Sequence, residues 1–183
     1  MTTALRTFLR RMKHSPIHNY GGIPGLTSWL IGAPSDAGMI RLMECSRDHH
    51  ESIIPHSHRF DFHCLVLAGQ VRNIIWERVG RGDAYQESTL VYQGNPGGYD
   101  KQDDGVGHWG TVTHTYNIGE EYWMSAGQVH SIFFSKGACV LFLEGPRRSD
   151  SSLILQPFVD GEVVPTFDVK PWAFKREQNG GAA

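Results

Sequence analysis

At 183 residues the chain fits one domain, long enough to bury a core of its own, and its 21 glycines and 9 prolines mark it as turn-rich. A formal charge of -2 and a pI near 6.5 give no global reason to expect nucleic acid or an anionic membrane as a partner. Cys45, Cys64 and Cys139 are odd in number, widely spaced and set in apolar runs, which reads as buried thiols in a reducing compartment and not as a disulfide framework. No run approaches the roughly eighteen apolar residues of a membrane span, and no signal-peptide core follows the N-terminus, so a cytoplasmic protein is expected.

Thr2 to Lys13 places Leu5, Phe8, Leu9 and Met12 at helical spacing among Arg6, Arg10, Arg11 and Lys13. This predicts a short amphipathic helix, laid over the body of the protein or against a partner. Its arginines also fit a targeting presequence, against which its scarcity of serine counts. Residues 15–37 are broken by GGIPG and GAPSDAG around Leu26 to Ile31 and read as an arm with one short strand.

Met39 to Cys45 is strand-like, and a polar loop with His49 and His50 leads into PHSHRFDFHCLVLAGQV, Pro55 to Val71. His56 and His58 are two residues apart, so on an extended chain their imidazoles point the same way, which is chelate geometry. His63 follows close behind. Phe60 to Leu67 is apolar on both faces apart from Asp61 and His63, which share one face and should meet water or a polar cavity. Val71 to Arg78 is the next strand, which makes Gly69 and Gln70 a tight hairpin. Gly80 to Asp83 reads as a turn and Tyr85 to Gln93 as a strand. Gly94 to Gly110, with six glycines, Pro96 and three aspartates, reads as a long functional loop carrying His108.

Thr111 to Ile118 alternates, with Val112, His114, Tyr116 and Ile118 on one face, which predicts His114 as a core or cavity-lining histidine. His130 to Ser135, Ala138 to Glu144 and Leu153 to Phe158 are further short strands. Thr166 to Phe174 is a candidate edge strand, with Pro171 tolerable only at an edge. The expected organisation is a helix and arm over 1–38, an all-β barrel over 39–175 and a disordered tail over 176–183. Many short strands and almost no helix imply a sandwich or barrel.

Between the strands at Thr111 and His130 lies GEEYWMSAGQVH. Here the chain resembles the cupin superfamily. That family's second motif is Gly, five residues, Pro-x-Gly, two residues, His; Gly119, Gly127 and His130 match it, with Ser125 in place of Pro. The first motif, His-x-His, three or four residues, Glu, six residues, Gly, is matched by His56, His58 and Gly69. The resemblance covers roughly Met39 to Phe158 and implies a single jelly-roll barrel holding one divalent transition metal. Where the family places its glutamate this chain has His63 or Phe62, depending on the count, so His63 joins His56, His58 and His130 as a candidate ligand.

A three-histidine site without the glutamate resembles thiol dioxygenases and other iron-dependent cupin oxygenases. It implies an Fe(II) dioxygenase acting on a small molecule, with nickel, manganese or zinc as other occupants. The alternatives are a Lewis-acid isomerase, epimerase or lyase and a non-catalytic binding module. Tyr116 and Tyr122 are the candidate catalytic groups, and Trp123, Arg59, Arg147 and Arg148 candidate pocket residues. Exposed edge strands and the apolar arm predict a homodimer.

Overall fold

The computed structural model describes Thr7 and residues 16–33, 38–48, 54–94 and 98–164. The expected N-terminal helix, His49 and His50, the edge strand at Thr166 to Phe174 and the tail lie outside the described residues. No helix among the described residues is long and apolar enough to cross a membrane.

From residue 16 on, the described residues are β apart from turns and a 3-10 turn at Tyr20–Gly22. Its strands are β1 (Ile17–His18), β2 (Leu26–Gly32), β3 (Ile40–Cys45), β4 (Phe60–Ala68), β5 (Val71–Tyr92), β6 (Tyr99–Tyr116), β7 (Glu121–Met124), β8 (Val129–Phe134), β9 (Cys139–Arg147), β10 (Ser151–Val159) and β11 (Glu162–Val163). One sheet runs in the order β1-β2-β3-β9-β4-β7 and the other β11-β10-β5-β6, with β8 beside the first part of β5. Every pairing is antiparallel.

Period-two alternation sets what faces inward. Met43 and Cys45 of β3, Phe62, Cys64 and Val66 of β4, Val71 and Ile75 of β5 and Val140 and Phe142 of β9 meet in one buried cluster between the sheets. Each large apolar side chain buried this way contributes about 1.5–3 kcal/mol. The barrel therefore holds together on its own apolar contacts, whatever its polar groups bind.

Four expectations are corrected. Gly69 and Gln70 do not form a hairpin, because β4 and β5 belong to different sheets. They make a corner that docks on the β8–β9 turn: the Gln70 N–H donates to Ser135 Oγ at 2.9 Å and the Ser135 N–H returns a bond to the Gln70 carbonyl at 3.0 Å. Gly69 has φ +66, and a Cβ there would stand 2.7 Å from the Ala138 Cα, so only glycine fits the corner.

The long loop at Gly94 to Gly110 is instead mostly strand, and the turn at Gly80 to Asp83 lies within β5. Gly105, Gly107 and Gly110 stand within the ladder, while Gly94 and Gly98 lie in the connection between β5 and β6. Arg78 and Asp83 both stand opposite Trp109, leaving 79–82 as a bulge, and a second shift falls between Glu87 and Ser88, opposite Gly105. At Gly107 a Cβ would meet Glu87 Oε1 at 1.8 Å, so a side chain there would displace the carboxylate that accepts from Trp109 Nε1 and Arg78.

His114 and Val112 are exposed, not core. They share the inward-facing row with Asn73 and Ile75, but β6 is the last strand of its sheet. Tyr116 does reach the facing sheet, where it stacks on Tyr122 with ring centroids 4.5 Å apart.

Candidate metal centre

The stretch from Ile54 to His58 is not in a strand, yet it is pinned on both sides. The His56 N–H donates to the His130 carbonyl and the His130 N–H to the His56 carbonyl, each at 2.9 Å. On the other flank the Leu155 N–H donates to the Pro55 carbonyl at 2.9 Å and the Ser57 N–H to the Leu153 carbonyl at 2.8 Å. The His58 N–H reaches the Ala126 carbonyl at 3.0 Å, on the turn that precedes β8. Asp61 braces the same turn, accepting from the Ala126 N–H at 2.9 Å and from Arg148 Nε at 2.7 Å. Arg148 first, and then the Ala126 N–H, hold the Asp61 carboxyl below its ordinary pKa.

With the backbones locked, alternation turns the three imidazoles inward. One ligand nitrogen from each of His56, His58 and His130 lies within 4.8 Å of the others. His58 Nε2 and His130 Nε2 are 2.9 Å apart. Two nitrogens bound cis to one ion at about 2.1 Å stand about 3 Å from each other, so this pair is already at ligand spacing.

The outward nitrogens set the tautomers. His130 Nδ1 lies 2.8 Å from Asn73 Oδ1, an acceptor, so the Nδ1 carries the proton and Nε2 presents its lone pair inward. His56 Nδ1 likewise donates to the Ile54 carbonyl at 2.9 Å, leaving Nε2 for a ligand role. Burial, foremost, and the neighbouring imidazoles hold the pKa of His58 and His130 well below the ordinary value, and burial lowers that of His56. At neutral pH all three are uncharged, the form that binds metal. The donor set fits a divalent transition metal.

The histidines of the first motif and the histidine of the second thus meet inside a two-sheet antiparallel barrel. That convergence is what the resemblance to the cupin jelly roll implies. No family model matches the chain, and no curated protein does either. Among solved structures the chain is similar to an RmlC-like cupin from Shewanella frigidimarina at 15% identity, covering 75% of this chain and 88% of that one, with a TM-score of 0.45. It is similar to Drosophila melanogaster CENP-C bound to CAL1 at 14% identity, covering 78% and 94%, with a TM-score of 0.46. A third is KdgF from a Halomonas species at 15% identity, covering 75% and 91%, with a TM-score of 0.39. Likenesses this distant carry nothing about activity.

Within the barrel the remaining candidates scatter. His63 is not brought to the other three: it points away from the core, 42% exposed, with Nε2 3.2 Å from Glu121 Oε2. The two faces of β4 are one residue out of phase, so it is Phe62 that looks inward. Its ring lies 4.8 Å from that of His58 and 5.7 Å from that of His130. Tyr122 meets the far side of this wall, 6.3 Å from Phe62. Burial, and then Cys64 beside it, hold its phenol well above the ordinary pKa, while burial pushes the Cys64 thiol up to about 12. Tyr116 stacks behind Tyr122, so neither tyrosine is placed against the imidazoles as a catalytic group would be.

Trp123 is 61% exposed on the outer face. Arg59 and Arg147 both lie over the Tyr92 ring, at 4.1 and 5.3 Å, at the turn end of the β5–β6 pair, where Tyr92 stands opposite Tyr99. Asn73 escaped the sequence reading, although a signal was there: it alternates with Val71 and Ile75 on the inward face, and a buried amide needs a partner.

Proposed function

We propose that this cupin is a mononuclear Fe(II) dioxygenase acting on a small molecule. His56, His58 and His130 would hold the iron, which when bound supplies open positions for dioxygen and substrate and the electrons for oxygen activation. The observation that carries the reading is the inward Phe62 beside three neutral imidazoles. No carboxylate joins the group among the described residues. The ligand set therefore leaves the positive charge of the ion uncancelled, which favours an anionic substrate, and Phe60 and Phe62 line it with apolar surface that excludes water. A Lewis-acid isomerase would need a proton carrier against the substrate, and the groups in ring contact with the imidazoles are phenylalanines.

The experiment is oxygen uptake by the iron-loaded protein with a panel of thiols, catechols and diketones. Uptake with one class, abolished in His56→Ala and His58→Ala, is expected. Iron bound stoichiometrically with no uptake across the panel would overturn the oxygenase reading and leave a metal-binding cupin.

A further inference from the structure

The six-stranded sheet has a second apolar face, turned away from the core. Alternation that sends Met43, Cys64 and Val140 inward turns their neighbours outward, and register lines these up from strand to strand. One outward row runs Trp29, Leu42, Leu141, Leu65 and Glu121. The next runs Ile40, Leu143, His63 and Trp123, and on the other side Glu44 stands opposite Cys139. The charged residues in these rows, Glu44 and Glu121, are both acids.

The two ends of this face differ. Toward β4 and β7, Leu67, Trp123 and Leu143 are exposed. Toward β2, β3 and β9, Leu42 is 4% exposed and Cys139 2%, although both point away from the core. The apolar side chains packed against them, Trp29, Ile31 and Ala68, belong to the same sheet. Side chains of one sheet stand roughly perpendicular to it, so such neighbours flank a residue and do not roof it. Burial this complete calls for a second layer.

Residues 2–13 have the pattern of that layer. Leu5, Phe8, Leu9 and Met12 form one helical stripe. Thr7 is α-helical and exposed, and at about 100° per residue it falls on the side of the helix opposite the stripe. The polar side therefore meets water. The chain passes from this segment into β1, the outermost strand of the same sheet, paired with β2. A helix over 2–13 is about 18 Å long and strands lie about 4.8 Å apart, so from the β1 edge it spans β2, β3 and β9. Those are the strands of the buried end. Arg6, Arg10, Arg11 and Lys13 bring positive charge to a face whose own charges are acidic.

We propose that residues 2–13 dock as an amphipathic helix on the outer face of the six-stranded sheet, with the stripe of Leu5, Phe8, Leu9 and Met12 over Leu42 and Cys139. The contact lies within one chain. It occupies the face that the barrel core does not use, and it leaves the β6 edge, in the other sheet, uncovered.

The test is thiol labelling of the folded full chain with a small maleimide, each cysteine read by mass spectrometry of its peptide. Cys139 lies under the proposed helix, whereas Cys64 lies in the barrel core. Phe8→Asp combined with Met12→Asp should speed labelling of Cys139 by about tenfold or more and leave Cys64 protected, because only the helix lifts. The milder Leu9→Ala should speed it by less, again at Cys139 alone. Thr7→Asp, on the solvent side, should change neither cysteine. Labelling of the native protein should be independent of protein concentration, as a contact within one chain requires. Unchanged labelling of Cys139 in the double variant and in Leu9→Ala, an equal gain in Thr7→Asp, or a gain shared equally by Cys64 in both apolar variants would each overturn the docking. Labelling of Cys139 that speeds up on dilution would assign the cover to a second copy and overturn the contact within one chain.

Discussion

Asn73 Oδ1 and His130 Nδ1 are joined by a 2.8 Å hydrogen bond at a position where Asn73 is wholly buried. That bond fixes the ring of His130 and the nitrogen it offers. Asn73→Ala is expected to weaken metal affinity by about tenfold to a hundredfold, the usual loss when a ligand's outer partner is removed. It should also cost about 1–3 kcal/mol of stability, since the His130 Nδ1–H is left buried and unpaired. A Co(II) titration and a denaturant melt of the same variant check both.

His63→Ala is expected to leave metal content unchanged, because His63 faces Glu121 on the outer side of β4. His130→Ala should abolish stoichiometric binding, as should His56→Ala combined with His58→Ala, with the barrel still folded on its apolar core. Elemental analysis after reconstitution, beside circular dichroism, distinguishes the cases. An equal collapse in His63→Ala and His130→Ala would restore His63 as a ligand.

Phe62→Glu places a carboxylate where the cupin motif has one. The metal-free variant should melt lower than the native protein, because a charge has been put into an apolar wall without a partner. With Ni(II) or Zn(II) it should gain more in melting temperature than the native protein does, since the carboxylate becomes a fourth ligand. Melting curves with and without metal measure the two effects.

The metal-free protein should lose stability as pH falls below about 6.5. His56, His58 and His130 have folded pKa values below the unfolded value of 6.5. Under acid the unfolded chain binds protons that the folded chain refuses, so their contribution is complete above about 6.5 and is lost below it. Each imidazole costs up to about 1.4 kcal/mol per pH unit in that window. Bound metal should move the loss to lower pH, because it too selects the neutral rings. Urea melts from pH 8 to pH 5, with and without Zn(II), check the sign and the shift.

We propose that the chain is a homodimer. β6 is the last strand in its sheet's order, and no described strand covers its far edge, where a second copy would pair. Sedimentation at micromolar concentration should give twice the 20.5 kDa chain mass. A single-chain mass would count against it.

What the sequence determined is what depends on local period and spacing. His-x-His on an extended chain aims two imidazoles together, and alternation around Val71 to Ile75 and Met39 to Cys45 marks inward faces before any contact is known. The tertiary structure decided what depends on which strands meet. The parity of β4 could not be read from a run apolar on both faces; it was settled by pairing with β7 and β9, which turns Phe62 inward and His63 out. The glycines of Gly94 to Gly110 look alike in sequence whether they end a strand or bulge one, and only the ladder to β5 separates the two. His114 sits in an apolar alternation that implies burial, but burial needs a facing sheet, and at β6 the cover runs out.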